Sequence, residues 1–138
     1  MPEIKISMTV EVSDQFILDI LTTMVESGGS HYWATFPKVN RLENSDISSF
    51  MVVETEEAED AKAMGKSTDE IMATMVETVT PQSIVDTLGK IMSTPALQHG
   101  YVWDYIRQGM IEQDAGEFDA DATDFILQIT LFDKVVYA

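Results

Sequence analysis

The chain contains no cysteine, so disulfides, thiolate metal sites and a cysteine nucleophile are all excluded. Only two histidines occur, His31 and His99, with no HExxH pair, which removes the usual zinc arrangements. Basic residues are scarce: 8 Lys and Arg stand against 24 Asp and Glu, a formal net charge of -16. Such a surface repels nucleic acid and anionic lipid, because phosphate binding relies on Lys and Arg displacing counterions. No direct nucleic-acid partner and no membrane partner are expected; a basic protein would be attracted and met faster. The competing reading is that the charge serves only solubility. Apolar runs are short as well, and none approaches the roughly 18 residues that cross a bilayer. The opening MPEIKISMTV carries no basic stretch ahead of an apolar core, so a cytosolic protein without a signal peptide is expected.

What is present suits a folded protein. A length of 138 residues with 45% apolar content predicts one globular domain, residues 1–138, with a real core. Glu3 to Val12 alternates Ile4, Ile6, Met8, Val10 and Val12 with polar neighbours, the pattern of a half-buried strand. From Ser13 or Asp14, a cap, a helix is predicted with Phe16, Ile17, Ile20, Leu21, Met24 and Val25 as its stripe. Gly28 and Gly29 follow, and one of them is expected in the left-handed conformation that closes a helix. Pro37 and the polar run Asn40 to Ser49 read as a loop, Phe50 to Val53 as a short strand, and Glu54 to Asp60 as a solvated acidic connection or helix start. Ser67 and Glu70 fit a capping box, yet the β-branched Thr74, Val76, Thr78 and Val79 favour a strand over 71–79. Thr80-Pro81 starts a helix that ends at Thr94-Pro95. Another helix is expected over 96–108, with Leu97, Tyr101, Val102, Tyr105 and Ile106 inward and Gly109 as its stop. Asp119 caps a last helix from Asp121 to about Asp133, with an apolar Val135 to Tyr137 beyond it. The expected fold is α+β: a small antiparallel sheet of about three strands packed by three to four helices.

The catalytic signatures fail on spacing. Gly65-Lys66-Ser67 looks like the tail of a phosphate-binding loop, but Asp60 stands where a glycine is required. Asp119, Asp121 and Asp124 lack the glycine and the bidentate Glu of an EF-hand. A looser divalent site built from Glu117, Asp119, Asp121 and Asp124 stays open beside the simpler role of these residues at a helix start. No G-x-S-x-G elbow exists, and Ser30 beside His31 is not a dyad by adjacency. No enzyme and no cofactor are expected.

One cluster does draw attention. Ser30, His31, Tyr32 and Trp33 put two rings, an imidazole and a hydroxyl directly after the helix stop, which suits a small-ligand wall. The alternative is that Tyr32 and Trp33 begin a strand and fill the core. The stretch Glu26-Ser27-Gly28-Gly29-Ser30-His31-Tyr32-Trp33 pairs with a second, Asp119-Ala120-Asp121-Ala122-Thr123-Asp124 followed by Leu127-Gln128, Phe132 and Val135-Val136-Tyr137. Together they resemble small accessory proteins of tailed bacteriophages, mostly of unassigned function. In those, a helix ends in E-G-G before an aromatic pair, and a D-A-D/E-x-x-D segment leads to L-Q-x-x-x-F-x-x-V-V-Y. The helix from Pro81 to Ser93 is similar too; residues 37–79 are not, and Ser27 and Asp133 depart from the pattern. The resemblance implies a phage origin and shared fold.

The expected function is a non-catalytic phage accessory protein of counter-defence type, working in the host cytoplasm. It would bind a small ligand, nucleotide-like ones included, through Gly28, Gly29, Ser30, His31, Tyr32, Trp33, Asp121 and Asp124. Two alternatives stand: an acidic nucleic-acid mimic that occupies a basic host protein, and a virion or assembly component. The apolar C-terminal residues suggest a homo-oligomer.

Overall fold

Ser13 opens the first helix, α1 (Asp14–Glu26), by accepting the Phe16 N–H at 3.1 Å. Its apolar stripe buries Phe16, Ile17, Ile20, Leu21 and Met24, as the periodicity predicts. The computed structural model describes residues 9–138, the Glu117 side chain excepted. The strand expected over Glu3 to Val12 therefore lies largely outside the described residues. Its remainder, residues 9–12, joins no strand and only rests Val10 and Val12 against the core.

After α1 a 3-10 turn over Gly29–Tyr32 leads into β1 (Ala34–Arg41) and β2 (Ile47–Glu54). The loop expected from 40 to 49 shrinks to 42–46, because β1 runs straight through Pro37. Two features admit the proline. β1 is an edge strand in the order β1-β2-β3, and its register against β2 slips between Thr35 and Lys38. A missing N–H costs little at such a bulge. The acidic stretch becomes α2 (Thr55–Ala63), and residues 61–80 divide. The Ser67 hydroxyl caps α3 (Thr68–Thr74) by accepting the Glu70 N–H at 3.2 Å, so the strand expected over 71–79 is reduced to β3 (Glu77–Val79). Thr74 fits the helix because its hydroxyl bonds the Glu70 carbonyl at 2.7 Å. β3 pairs antiparallel with β2, Phe50 opposite Val79.

α4 (Pro81–Ser93) starts on a reciprocal Thr80–Ser83 capping box with proline in its first turn. The helix expected over 96–108 sits later, as α5 (Gly100–Glu112), with a separate 3-10 turn at Pro95–Leu97. Gly100 has φ 78°, so it begins the helix and is not crossed by it. Gly109 does not stop α5: it is buried within it, and Gln113 at φ 53° ends the helix. Tyr101 and Tyr105 face solvent, 55% and 41% exposed, and Ile106 faces the core. α6 (Ala120–Phe132) follows its Asp119 cap, one residue earlier than expected.

The described residues thus form an α+β fold of six α-helices and a three-stranded antiparallel sheet. α1, α4 and α6 pack on one another and α1 lies against β2, and their shared core buries Phe50, Ile84, Leu88, Ile126 and Leu127. The Thr87 and Thr130 hydroxyls bond each other at 2.7 Å between α4 and α6. No described helix is long and apolar enough to cross a membrane.

A Cβ at Gly109 would stand 2.5 Å from the Phe118 ring and 3.0 Å from the Asp114 carbonyl. Gly109→Ala should therefore lose about 1–3 kcal/mol of stability, the usual cost of overpacking, despite the better helix propensity of alanine. Urea unfolding followed by circular dichroism measures it.

Candidate functional site

The segment after α1 is shaped by close approach. Neither Gly28 nor Gly29 adopts a positive φ, so the left-handed closure expected of them does not occur. The helix ends instead on the Ser27 N–H, which donates to the Thr23 carbonyl at 2.9 Å. A Cβ on Gly28 would lie 2.4 Å from the Met24 carbonyl oxygen, and one on Gly29 would lie 2.7 Å from that of Ala120. The glycines let the 3-10 turn press against the start of α6.

That approach brings the two motif stretches together at Asp124. Its Oδ1 accepts from the Ser30 hydroxyl at 2.8 Å and the Trp33 Nε1–H at 2.7 Å. Its Oδ2 accepts from the Tyr32 hydroxyl at 3.3 Å and from Gln128 Nε2 at 3.0 Å. Gln128, itself buried, also donates to the Tyr137 carbonyl and accepts the Val136 and Tyr137 N–H groups through Oε1. The Tyr137 ring is thereby laid on Trp33, with centroids 4.8 Å apart and planes 9° from parallel. Its hydroxyl donates to a Glu54 carboxylate oxygen. No buried side-chain polar atom among the described residues lacks a partner.

The two rings part company. Trp33 is 4% exposed and Tyr32 is 59% exposed, so one joins the core and the other stands beside an open recess. That recess, about 460 Å³, is lined by Tyr32, Trp33, Thr55, Glu56, Glu59 and Tyr137. Among the expected ligand residues only Tyr32 and Trp33 reach it. Ser30 and Asp124 are spent on the clasp just described. His31 points elsewhere, with Nε2 2.7 Å from the Val25 carbonyl and its ring edge-on to Phe36. Asp121 accepts from the Tyr101 hydroxyl. Thr55, Glu56, Glu59 and Tyr137 were not foreseen as site residues. The Val-Val-Tyr stretch was the signal for Tyr137, while Glu56 and Glu59 looked like part of a solvated connection.

Three phenols carry raised pKa values. Tyr32 is raised by partial burial and then by the Asp124 charge. Tyr137 is pushed up to about 12, first by its hydrogen bond to Glu54 and then by burial. Tyr101 is pushed up to about 12, first by its hydrogen bond to Asp121. Among the described residues no three His, Asp or Glu side chains gather closely enough to hold a metal ion. The chain matches no protein-family model, no curated protein and no solved structure.

Asp124→Ala strips several donors of their acceptor at once. It should destabilise the fold by about 2–4 kcal/mol and shift Trp33 emission to the red, whereas Asp121→Ala, which removes one exposed bond, should leave the unfolding midpoint near wild type. Fluorescence-detected urea unfolding compares them. The raised pKa of Tyr137 means its neutral hydroxyl favours the folded state. That contribution is whole below pH 10 and is lost as pH rises toward 12. Thermal midpoints taken across this window should fall less steeply for Tyr137→Phe than for the wild type.

Proposed function

We propose that this is a non-catalytic binding protein whose recess at Tyr32 takes a small organic cation. The observation that carries the reading is the lining: an exposed phenol ring, a second ring from Tyr137, and the carboxylates of Glu56 and Glu59, with no Lys or Arg among them. An ammonium or guanidinium group there gains attraction from the ring faces and from the carboxylates together. A nucleotide-like ligand fits this wall poorly, since its phosphates would face the same carboxylates. Arg41 is at the far end of β1 from the recess and is engaged with Glu26 at 2.7 Å. With the phage-accessory resemblance added, the reading becomes a counter-defence protein that withdraws a host molecule in the host cytoplasm.

A second reading, the acidic decoy for a basic host protein, is favoured by how the carboxylates are used. Asp114, Asp119, Asp121 and Asp124 all accept hydrogen bonds within the fold. Glu56, Glu57, Glu59 and Asp60 on α2 are exposed, and among the described residues their side chains make no hydrogen bond or ion pair. Four carboxylates without a partner among the described residues thus share one helix. A homo-oligomer remains part of the proposal through the exposed Val135 and Val136.

Calorimetric titration with arginine amide, spermidine and a nucleotide panel decides the first reading. The cations should bind, and Tyr32→Ala should weaken them by about 2- to 30-fold, the range of one cation–π contact. Glu56→Gln with Glu59→Gln should weaken them further and flatten the dependence on salt. Binding of nucleotides without binding of cations, or silence from both, would sink the proposal.

A further inference from the structure

A second depression adjoins the first, sharing Thr55 and Glu59 with it, and is built differently. Val53 turns to the opposite side of β2 from the core-facing Val52, and with buried Ile71 it forms the floor of an apolar groove of about 290 Å³. Ala58 of α2, Met72 of α3, Val76 and Pro37 line it too, with Glu59 and Lys62 as its charged residues. Its size suits one or two aliphatic side chains, at the lower limit of about 300 Å³ for ligand pockets.

The two helices beside it are acidic. Residues 55–74 contain Glu56, Glu57, Glu59, Asp60, Asp69 and Glu70 against Lys62 and Lys66, six carboxylates to two ammonium groups. All of these carboxylates are exposed, and none takes part in the ion pairs found among the described residues. An apolar floor beside two helices with an excess of carboxylates complements a segment that carries aliphatic side chains between lysines or arginines. A second copy of this chain, at -16, would bring carboxylates against carboxylates, and an anionic lipid or nucleic acid would be repelled.

We infer that the groove between α2, α3 and the β1–β2 face docks a basic amphipathic segment of a partner protein. Aliphatic side chains of the segment seat on Val53 and Ile71, and its cations meet Glu59 at the groove and the other exposed carboxylates of α2 and α3 beside it. The inference rests on the acidic-surface reading above and gives it an address. The helix charges set the encounter rate and its salt dependence, while the apolar floor sets the register.

The test uses the full chain, nitrogen-15 labelled, and three synthetic peptides of about four helical turns. One places leucines at helical spacing among lysines, one scrambles that order at equal charge, and one replaces the lysines with glutamate. The patterned peptide should shift the amides of Ala58, Ile71, Met72 and Val76, and bind about tenfold or more tightly than the scramble, a difference of about 1.4 kcal/mol or more. Ala58→Trp, which fills the groove, and Met72→Lys, which reverses the local field, should each remove that advantage; circular dichroism checks that both fold. Equal, salt-sensitive binding of the patterned and scrambled peptides overturns the groove and leaves the acidic-surface reading standing. Silence from both basic peptides overturns the two together. Binding of the glutamate peptide, or self-association that broadens the same amides, overturns the basic occupant.

Discussion

The Asp124 carboxylate is the constraint on which this end of the molecule depends. Two oxygens offer about four acceptor sites, and here the Ser30, Tyr32, Trp33 and Gln128 side chains fill them. A half-buried charge with that many donors is held in place without a basic counter-ion, because each N–H or O–H dipole substitutes for water. The consequence spreads outward. Trp33 is locked with its ring against Tyr137 and Phe132, Gln128 pins the backbone of Val136 and Tyr137, and Tyr32 is left upright at the rim of the recess. Gly28 and Gly29 serve the same end, since only a chain without Cβ atoms can come so near α6 and the last turn of α1.

The charge distribution divides the carboxylates into two populations. Those near the clasp and the α5–α6 connection do structural work as caps and acceptors, Asp114 for Gly116, Asp119 for Ala122 and Asp121 for Tyr101. Those on α2 and α3 accept no hydrogen bond among the described residues: Glu56, Glu57, Asp69 and Glu70 sit in first turns, where the helix dipole favours them, and Glu56 and Glu59 line the depressions. Like charges at this density repel one another, and that cost to folding is offset only in part by the favourable first-turn positions.

Much of the fold was legible because local chemistry decided it. Ser13, Ser67, Thr80 and Asp119 each cap the helix that their neighbours announce, and the stripes of α1, α4 and α6 face the core. The misreadings came where tertiary context won. Pro37 on its own reads as part of a loop, yet an edge position and a register slip accommodate it in β1. The β-branched residues of 74–79 were weighed against the Ser67 cap, and the two signals turned out to govern successive segments. Gly109 was read as a breaker, whereas its missing Cβ makes room for the Phe118 ring. At the site, the aromatic pair was visible but its division was not. Whether Tyr32 or Trp33 turned inward depends on an acceptor 91 positions away from Trp33, and no local pattern encodes that.

That separation has a further consequence for how the molecule forms. Ser30, Tyr32 and Trp33 meet their acceptor across 94, 92 and 91 residues, so the chain must close a loop of that length before the clasp returns any energy. Loop-closure entropy grows slowly with length, but contacts this remote raise the contact order and slow the search. The hairpin of β1 and β2 and the capped helices need no such closure and can organise first. The stacked cover that Tyr137 gives the Trp33 indole depends on the same distant closure, since Gln128 of α6 holds the Val136 and Tyr137 backbone.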